Sequence, residues 1–134
     1  MNEYQTLYHC KYLVQYHIIW CPKFRFDVIK NNVESRLEQI LREIRRTYDY
    51  ESSKLEIMPD HVHIFMSVKP TIASTEIVST YKRISSISLF KEFPSLKEFY
   101  KRSGPLWSKD YFVRTVGKVS SETAKRSIKE QKTT

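Results

Sequence analysis

Residues 54–69 have the sequence KLEIMPDHVHIFMSVK, in which two apolar-rich runs flank Pro59 and Asp60. Both runs are rich in residues that favour strands, and the Pro-Asp pair is typical of a tight connection. We therefore predict two strands, 54–58 and 61–69, joined at that turn. The rest of the chain adds elements on both sides of this pair.

On the N-terminal side, residues 12–20 (YLVQYHIIW) form a short aromatic and β-branched run, which predicts a buried strand. A helix is then expected to start at Asn31 or Asn32, which are good capping residues, and to run to about Tyr50. Four arginines lie outside its apolar stripe: Arg36, Arg42, Arg45 and Arg46. The stripe itself repeats at helical spacing and consists of Val33, Leu37, Ile40, Leu41, Ile44 and Tyr48.

On the C-terminal side, a second helix is expected to start within 71–75 and to run to about Phe90. It is rich in Ser and Thr, which weakens its intrinsic helix propensity. Four of its residues are expected to point inward: Ile77, Tyr81, Ile84 and Ser88. Residues 93–105 contain both Pro and Gly, so we predict a loop there.

Residues 106–116 (LWSKDYFVRTV) predict a fourth strand, and Gly117 is expected to end it. Ser120 or Ser121 then caps a last helix that runs to about Gln131, with an acidic residue in its first turn. The order of elements is β-α-β-β-α-β-α. That order predicts an α+β fold, namely a ferredoxin-like (RRM-like) four-stranded antiparallel sheet with two packed helices.

The whole chain, 1–134, is expected to form a single domain, because it is too short for two ordinary ones. Within this plan the last helix has no packing role, which leaves it free to carry function. Residues 1–10 lack a secretory pattern, and there is no apolar run near the ~20 residues of a membrane helix. We therefore expect a cytoplasmic protein without a membrane partner.

The charge balance indicates a polyanionic partner. The chain has 23 Lys and Arg against 15 Asp and Glu, a net charge of +8 and a pI near 9.5. Nucleic acid is the usual partner of so basic a domain, and a basic surface without any partner is the alternative. Cys10 and Cys21 flank one strand roughly 33 Å apart, so they are expected to be reduced thiols.

The sharpest local feature is the His61-Val62-His63 sequence. Strand residues alternate between faces, so His61, His63 and Phe65 share the face opposite the helices. The two imidazoles are ~7 Å apart at Cβ and could converge on one ion, although a His-x-His on a strand is more often structural. The preceding Asp60 could bind the ion or orient a histidine, but formation of the turn is favoured.

A second pair, Ser127 and Gln131, is spaced four residues apart on the last predicted helix and so shares one face. Alone, this spacing indicates no more than a solvated helix face. It gains meaning from the resemblance of the whole chain to a known family.

The chain resembles the HUH transposases of small insertion sequences, the IS200 type with a single catalytic tyrosine. Four segments carry this resemblance, in the order and spacing of the family: YHIIWCPKFR at 16–25, MPDHVHIFMS at 58–67, YKRISSISLFKEFP at 81–94, and LWSKDYFVRTVGKVSSETAKRSIKEQ at 106–131. Together they span nearly the whole chain. The histidine segment alone is only moderately specific, whereas the four together are highly specific.

The resemblance implies a single transposase domain that acts on single-stranded DNA with hairpin ends and works as a homodimer. It implies that His61, His63 and the side-chain oxygen of Gln131 hold a divalent metal, Mg²⁺ or Mn²⁺, against the scissile phosphate. In the family, a tyrosine on the last helix attacks this phosphate, forms a 5′-phosphotyrosine link and leaves a free 3′-OH. Reversal of that step joins strands.

Position 127 departs from the family, because serine stands where the catalytic tyrosine is expected. The serine hydroxyl lies several ångströms short of a phenol oxygen, and a misplacement of ~1 Å can cost 10²-fold in rate. Its alkoxide is also a poorer leaving group than a phenolate with a pKa of ~10. We therefore expect a cleavage-deficient protein. Tyr111 is the nearest other hydroxyl, but it is expected to pack within the fourth strand.

Seven basic residues are candidate phosphate contacts: Lys23, Arg25, Lys82, Arg83, Lys101, Arg102 and Arg114. Tyr81, Trp107 and Phe112 could stack on bases, with core packing as the alternative for each and the favoured role for Phe112. Two other functions remain open. One is a single-stranded RNA-binding module, although no RNP-type aromatic run is present. The other is a metal-dependent hydrolase that uses bound water.

Overall fold

The computed structural model describes residues 13–119, without the side chains of residues 51–53, 118 and 119. A short 3-10 turn, Lys23–Arg25, follows the first strand. The other elements of the described chain are β1 (Leu13–Pro22), α1 (Asn32–Tyr48), β2 (Glu51–Met58), β3 (His61–Val68), α2 (Ser74–Glu92), α3 (Pro94–Phe99) and β4 (Trp107–Val119). The last predicted helix lies outside the described residues.

The four strands form one sheet in the order β2-β3-β1-β4, and every neighbouring pair is antiparallel. This order confirms the predicted α+β architecture with a four-stranded antiparallel sheet. β1 and β3 lie at the centre, where each has a hydrogen-bonded neighbour on both sides. The strand at 12–20 that was predicted to be buried is therefore one of the two central strands.

The two faces of the sheet differ in character because strand residues alternate. Ile18, Trp20, Val62 and Ile64 are at most 1% exposed and pack in the core with α1 and α2. The opposite face has no helix of the described chain packed on it. We call it the open face, and its residues include His17, Glu56, His61, His63, Phe65, Phe112 and Arg114.

Helix α1 buries most of its predicted apolar stripe. Four residues are at most 3% exposed: Leu37, Ile40, Leu41 and Ile44. Tyr48, however, is 42% exposed, so its predicted inward position is wrong. The helix ends there, since Asp49 adopts a left-handed conformation (φ 60°) and its N–H bonds to the Arg45 carbonyl. At this end of the helix the Tyr48 ring stacks on Tyr50 at a centroid distance of 5.9 Å.

Helix α2 is polar in composition but packs firmly. Ile77 and Tyr81 are buried as predicted, whereas the buried serine is Ser85 and not Ser88. The Ser85 hydroxyl donates to the Tyr81 carbonyl (2.6 Å) and accepts from Trp107 Nε1 (2.9 Å). A hydroxyl that bonds back to its own helix can be buried without loss of hydrogen bonding, which explains a serine in this core.

Replacing Ser85 with alanine is expected to destabilise the protein by about 1–3 kcal/mol, because the buried Trp107 N–H then has no acceptor. Ser86→Ala is a matched control, since this neighbouring hydroxyl is only half-buried and bonds to the Arg83 carbonyl. Both changes alter helix propensity equally. Urea unfolding of the two variants measures the difference, and equal midpoints would contradict this role for Ser85.

Two predictions in the C-terminal third are wrong. The predicted loop 93–105 contains α3, which starts with Pro94 at a position that favours proline and is anchored by buried Leu96. Strand β4 continues through Gly117 to Val119 instead of ending there. The register shifts between Gln15 and Tyr16, so Gly117 lies beside a β-bulge, which lets the strand bend and still pair.

Cys21 is a free thiol, as expected, while Cys10 lies outside the described residues. Within residues 13–119, no helix combines the length and the apolar character that crossing a membrane requires.

Candidate metal and DNA site

The predicted histidine pair lies at the start of β3, directly after the turn at Pro59 and Asp60. Both side chains are on the open face, as strand alternation predicted. His63 lies between Ile19 of β1 and Glu56 of β2 in the sheet register. Because β3 is a central strand, the backbone at His63 is fixed by neighbours on both sides, while His61 pairs with Met58 of β2.

A carboxylate orients each imidazole through its Nδ1 atom. His61 Nδ1 lies 2.8 Å from Asp60 Oδ1, and His63 Nδ1 lies 3.3 Å from Glu56 Oε2. In each ring the carboxylate therefore contacts Nδ1 and not Nε2. His63 Nε2 is buried without a hydrogen-bond partner among the described residues. Metal-binding histidines commonly have this arrangement, in which a carboxylate fixes the ring and its tautomer.

The two carboxylates are held in their charged form. A hydrogen bond from Lys54, whose Nζ lies 2.8 Å from Glu56 Oε1, lowers the pKa of Glu56 below its usual value. The hydrogen bond with His61, and more weakly the charge of Arg25, lower the pKa of Asp60. Asp60 therefore both forms the turn and orients His61. Near neutral pH both groups accept from an imidazole N–H.

His17 is part of the same cluster, although it was not among the site residues predicted from the sequence. Its ring stacks against both His63 (3.9 Å) and Phe65 (4.1 Å). Burial, and then the charges of His63 and Arg114, lower the pKa of His17, so the ring stays neutral near pH 7. The available signal was strand alternation in YLVQYHIIW, which places His17 on the face opposite Ile18 and Trp20. The same alternation in KLEIM could have found Glu56.

These residues fit a divalent ion, since two imidazoles with oriented Nδ1 atoms offer Nε2 donors on one face. Among residues 13–119 no group of three or more His, Cys, Asp or Glu side chains could hold a metal by itself. The third predicted ligand, Gln131, lies outside the described residues, as does Ser127. Both remain predictions, because nothing in the described chain tests them.

Tyr111 lies on the face of the sheet opposite the histidines. It opposes Trp20 in the β1–β4 pairing, and Trp20 belongs to the core. Its ring lies 5.3 Å from Lys82 Nζ on the helix side and is 38% exposed. Tyr111 is therefore only partly packed, and the sheet separates it from His61 and His63.

Two of the candidate phosphate contacts already bind backbone carbonyls. Lys82 Nζ donates to the carbonyls of Ser108 (2.7 Å) and Asp110 (3.3 Å), and burial lowers the pKa of this lysine. Lys23 Nζ lies 3.4 Å from the Ser103 carbonyl. The Lys82 ammonium group therefore links α2 to the start of β4, and that of Lys23 links the turn after β1 to the segment before β4. The other five are exposed on the surface: Arg25, Arg83, Lys101, Arg102 and Arg114.

The exposed cations are distributed over different regions. Arg114 opposes His17 and lies on the open face beside the histidines. Arg25 reaches Asp60, with Nη2 3.4 Å from Oδ2, and so connects the turn after β1 to the histidine turn. Lys101 and Arg102 follow α3 and face the turn after β1 across a pocket. Arg83 lies apart from them on α2, near a second groove.

The three aromatic candidates for base stacking differ in their exposure to solvent. Tyr81 and Trp107 are only 1% and 5% exposed, so both pack in the core and neither offers a stacking face. Phe112, for which core packing was favoured, is 53% exposed. The reason is register: Phe112 opposes Ile19 and so lies on the open face with the histidines. Among these three rings, Phe112 alone is accessible to a base.

Comparison with known sequences places this arrangement among transposases. Residues 10–131 match the model of the IS200-like transposase family. The chain is 35% identical over 120 residues to the ISDra2 transposase TnpA of Deinococcus radiodurans, covering 90% of this chain and 85% of that protein. It is 28% identical over 118 residues to the transposase for insertion sequence element IS200 of Salmonella typhimurium, covering 88% and 77%.

Two solved structures share the fold. A crystal structure of a candidate transposase from Deinococcus radiodurans R1 has a TM-score of 0.72 and 33% identity, covering 88% of this chain and 87% of that one. A REP-associated tyrosine transposase, solved bound to a REP hairpin, has a TM-score of 0.58 and 10% identity. That likeness covers 78% of this chain and 56% of the other, and it concerns the fold alone.

Proposed function

The chain belongs to the IS200-like transposase family, and from this premise we propose that it binds single-stranded DNA with hairpin ends at a divalent-metal site. As a member of that family it is a DNA strand transferase in type. We further propose that strand cleavage is lost in this chain, because Ser127 occupies the position of the nucleophilic tyrosine. The result is a transposase domain that holds its substrate without cutting it.

One observation carries the proposal: His61 and His63 share the open face, and each has its Nδ1 fixed by a carboxylate. His61, His63 and Gln131 would hold Mg²⁺ or Mn²⁺ there, and the bound ion would polarise the scissile phosphate as a Lewis acid. Asp60 and Glu56 keep the imidazoles oriented, and His17 packs against the ring of His63. Asp60, Glu56 and His17 thus help to fix the positions of the two imidazoles, which a contact with phosphate requires.

The charges around the site suit a DNA strand. Arg114 lies beside His17 on the open face, and Arg25 lies beside Asp60. The histidine pair therefore has two cations near it. The exposed ring of Phe112 lies on the same face and offers a surface for one unpaired base. The hairpin-bound transposase of the same fold adds support for hairpin DNA as the substrate.

A homodimer is part of the same proposal. β4 is an edge strand of the described sheet, and an uncovered edge favours pairing with a second copy or covering by another segment. The family resemblance implies the dimer, and the exposed edge is a suitable place for it.

A single-stranded RNA-binding module remains the alternative, because Phe112 and Phe65 lie on the open face of a four-stranded sheet. Against it, the centre of this face carries the two carboxylate-oriented histidines rather than a run of aromatic residues. Binding experiments that compare DNA with RNA of equal sequence separate the two functions.

We expect the protein to prefer hairpin-bearing single-stranded DNA over plain duplex, with affinity that falls steeply as salt rises. Each phosphate neutralised on a single strand adds about 0.7 to the salt slope, so four or five contacts give a slope of magnitude ~3. Fluorescence anisotropy between low and moderate salt measures this slope. A flat response, or tighter binding to RNA of equal sequence, would favour the RNA-binding module.

A further inference from the structure

Three phenylalanine rings form an exposed cluster away from the sheet, which we call the aromatic patch: Phe24, Phe26 and Phe99. They are 64%, 44% and 57% exposed. The centroids of Phe24 and Phe26 are 5.6 Å apart, and those of Phe26 and Phe99 are 5.3 Å apart. Single exposed apolar residues are common, but a contiguous group surrounded by polar residues usually marks an interaction site.

The backbone under the patch is held in an unusual shape. Phe24 and Arg25 have positive φ angles of 64° and 55°, a region that non-glycine residues rarely adopt. Two hydrogen bonds fix this turn against the segment before β4: Lys23 N donates to the Leu106 carbonyl (2.8 Å), and the Tyr100 hydroxyl donates to the Lys23 carbonyl (3.2 Å). Such strained turns occur mainly at functional sites. Phe24 and Phe26 are therefore presented by a preformed turn, while Phe99 lies at the end of α3.

Basic residues lie around the patch. An open pocket of about 750 Å³ is lined by the three rings together with Lys101 and Arg102. Lys23 and Arg25 flank it along the chain, and Lys23 Nζ lies 5.7 Å from the Phe24 ring centroid. The carboxylate that lines the pocket, Glu98, lies 3.6 Å from Lys101 Nζ. Exposed aromatic rings among cations suit a ligand with both flat π-faces and negative charges, which describes single-stranded DNA.

The patch is connected to the histidine site. Arg25, between Phe24 and Phe26 in sequence, has Nη2 3.4 Å from Asp60 Oδ2, and Asp60 Oδ1 is 2.8 Å from His61 Nδ1. Two side-chain contacts thus join the aromatic patch to the proposed metal site. A DNA strand with one phosphate at the histidines could continue past Arg25 onto the rings.

We propose that the aromatic patch binds unpaired bases of the DNA strand that adjoins the phosphate held at His61 and His63. Bases stack on Phe24 and Phe99, and Lys101 and Arg102 contact the backbone phosphates. The proposal rests on the proposed function, since it assigns a further part of the same DNA path. It also explains why three phenylalanines stay exposed on a basic surface.

The test uses the full-length double variant Phe24→Ala with Phe99→Ala, and Ile87→Ala as a matched control. Ile87 is 61% exposed on α2, so all three side chains can be removed without opening the core. The probes are fluorescein-labelled dT12 and an abasic sugar-phosphate oligomer of equal length. We expect the double variant to bind dT12 at least about tenfold more weakly, because stacking on an aromatic ring contributes measurably per base. Its affinity for the abasic oligomer, and both affinities of Ile87→Ala, should stay unchanged.

Other outcomes overturn the proposal in distinguishable ways. Unchanged dT12 affinity in the double variant overturns the base-binding role while leaving the proposed function in place. An equal loss for dT12 and the abasic oligomer shows that stacking is not involved, which also overturns it. A lower mass of the double variant in light scattering assigns the rings to an interface between copies instead. Failure of the unaltered protein to bind any DNA probe removes the proposed function together with the patch.

Discussion

Replacing Ser127 with tyrosine is expected to give the protein a single-strand cleavage activity that we expect the unaltered sequence to lack. The described part of the site has the features that we propose to hold a metal and a phosphate, namely His61 and His63 with their carboxylate partners. Removal of a nucleophile costs many orders of magnitude in rate, whereas binding groups act independently of it. Restoring the phenol should therefore restore cleavage without a change in DNA affinity.

The measurement is a side-by-side denaturing gel of both proteins with labelled hairpin DNA and Mn²⁺. A covalent protein–DNA band and a shortened strand should form with Ser127→Tyr and stay below detection with the unaltered protein. The control adds Tyr111→Phe to both proteins, and it should change neither result because Tyr111 lies on the helix side of the sheet. An adduct of equal yield with the unaltered protein would overturn the assignment of position 127. Failure of both proteins to cut would indicate that activity is lost at further positions.

The second large effect is expected at the histidine pair. His61→Ala combined with His63→Ala should abolish Mn²⁺ binding in calorimetry, because it removes two of the three proposed ligands. Mn²⁺ is the better probe, since Mg²⁺ strongly prefers oxygen ligands. In the Ser127→Tyr background the same pair of changes should abolish cleavage. An unchanged Mn²⁺ affinity would contradict the metal assignment.

A milder change in the same metal-binding experiment tests Glu56, the carboxylate that contacts His63. Glu56→Gln should lower Mn²⁺ affinity by roughly 10- to 100-fold, which is typical when the partner that orients a metal-binding histidine is changed. Glu34→Gln is the matched control, because Glu34 lies exposed in the first turn of α1, away from the sheet. If both variants keep full affinity, Glu56 does not orient His63 for metal binding.

Much of the fold could be predicted from local pattern because strand alternation and helical spacing are set by the backbone. The apolar runs around Pro59 and Asp60 predicted β2 and β3, and the stripe from Leu37 to Ile44 predicted the buried face of α1. Errors arose where local composition was overruled by tertiary packing. Gly117 continues β4 because pairing with β1 accommodates a bulge, and 94–99 is helical because Leu96 finds a place in the core.

By itself, the sequence determined the order of the four strands and of α1 and α2, the basic character, the family and the serine at position 127. It also placed His61 and His63 on one face, since alternation along a single strand needs no partner. Only the tertiary structure decided which residues from other strands meet them: His17 stacks on His63, Glu56 binds its Nδ1, and Tyr111 lies on the opposite side. The physical reason is register. A strand's own sequence fixes which of its residues share a face, but the hydrogen-bonded alignment of neighbouring strands fixes which side chains come into contact.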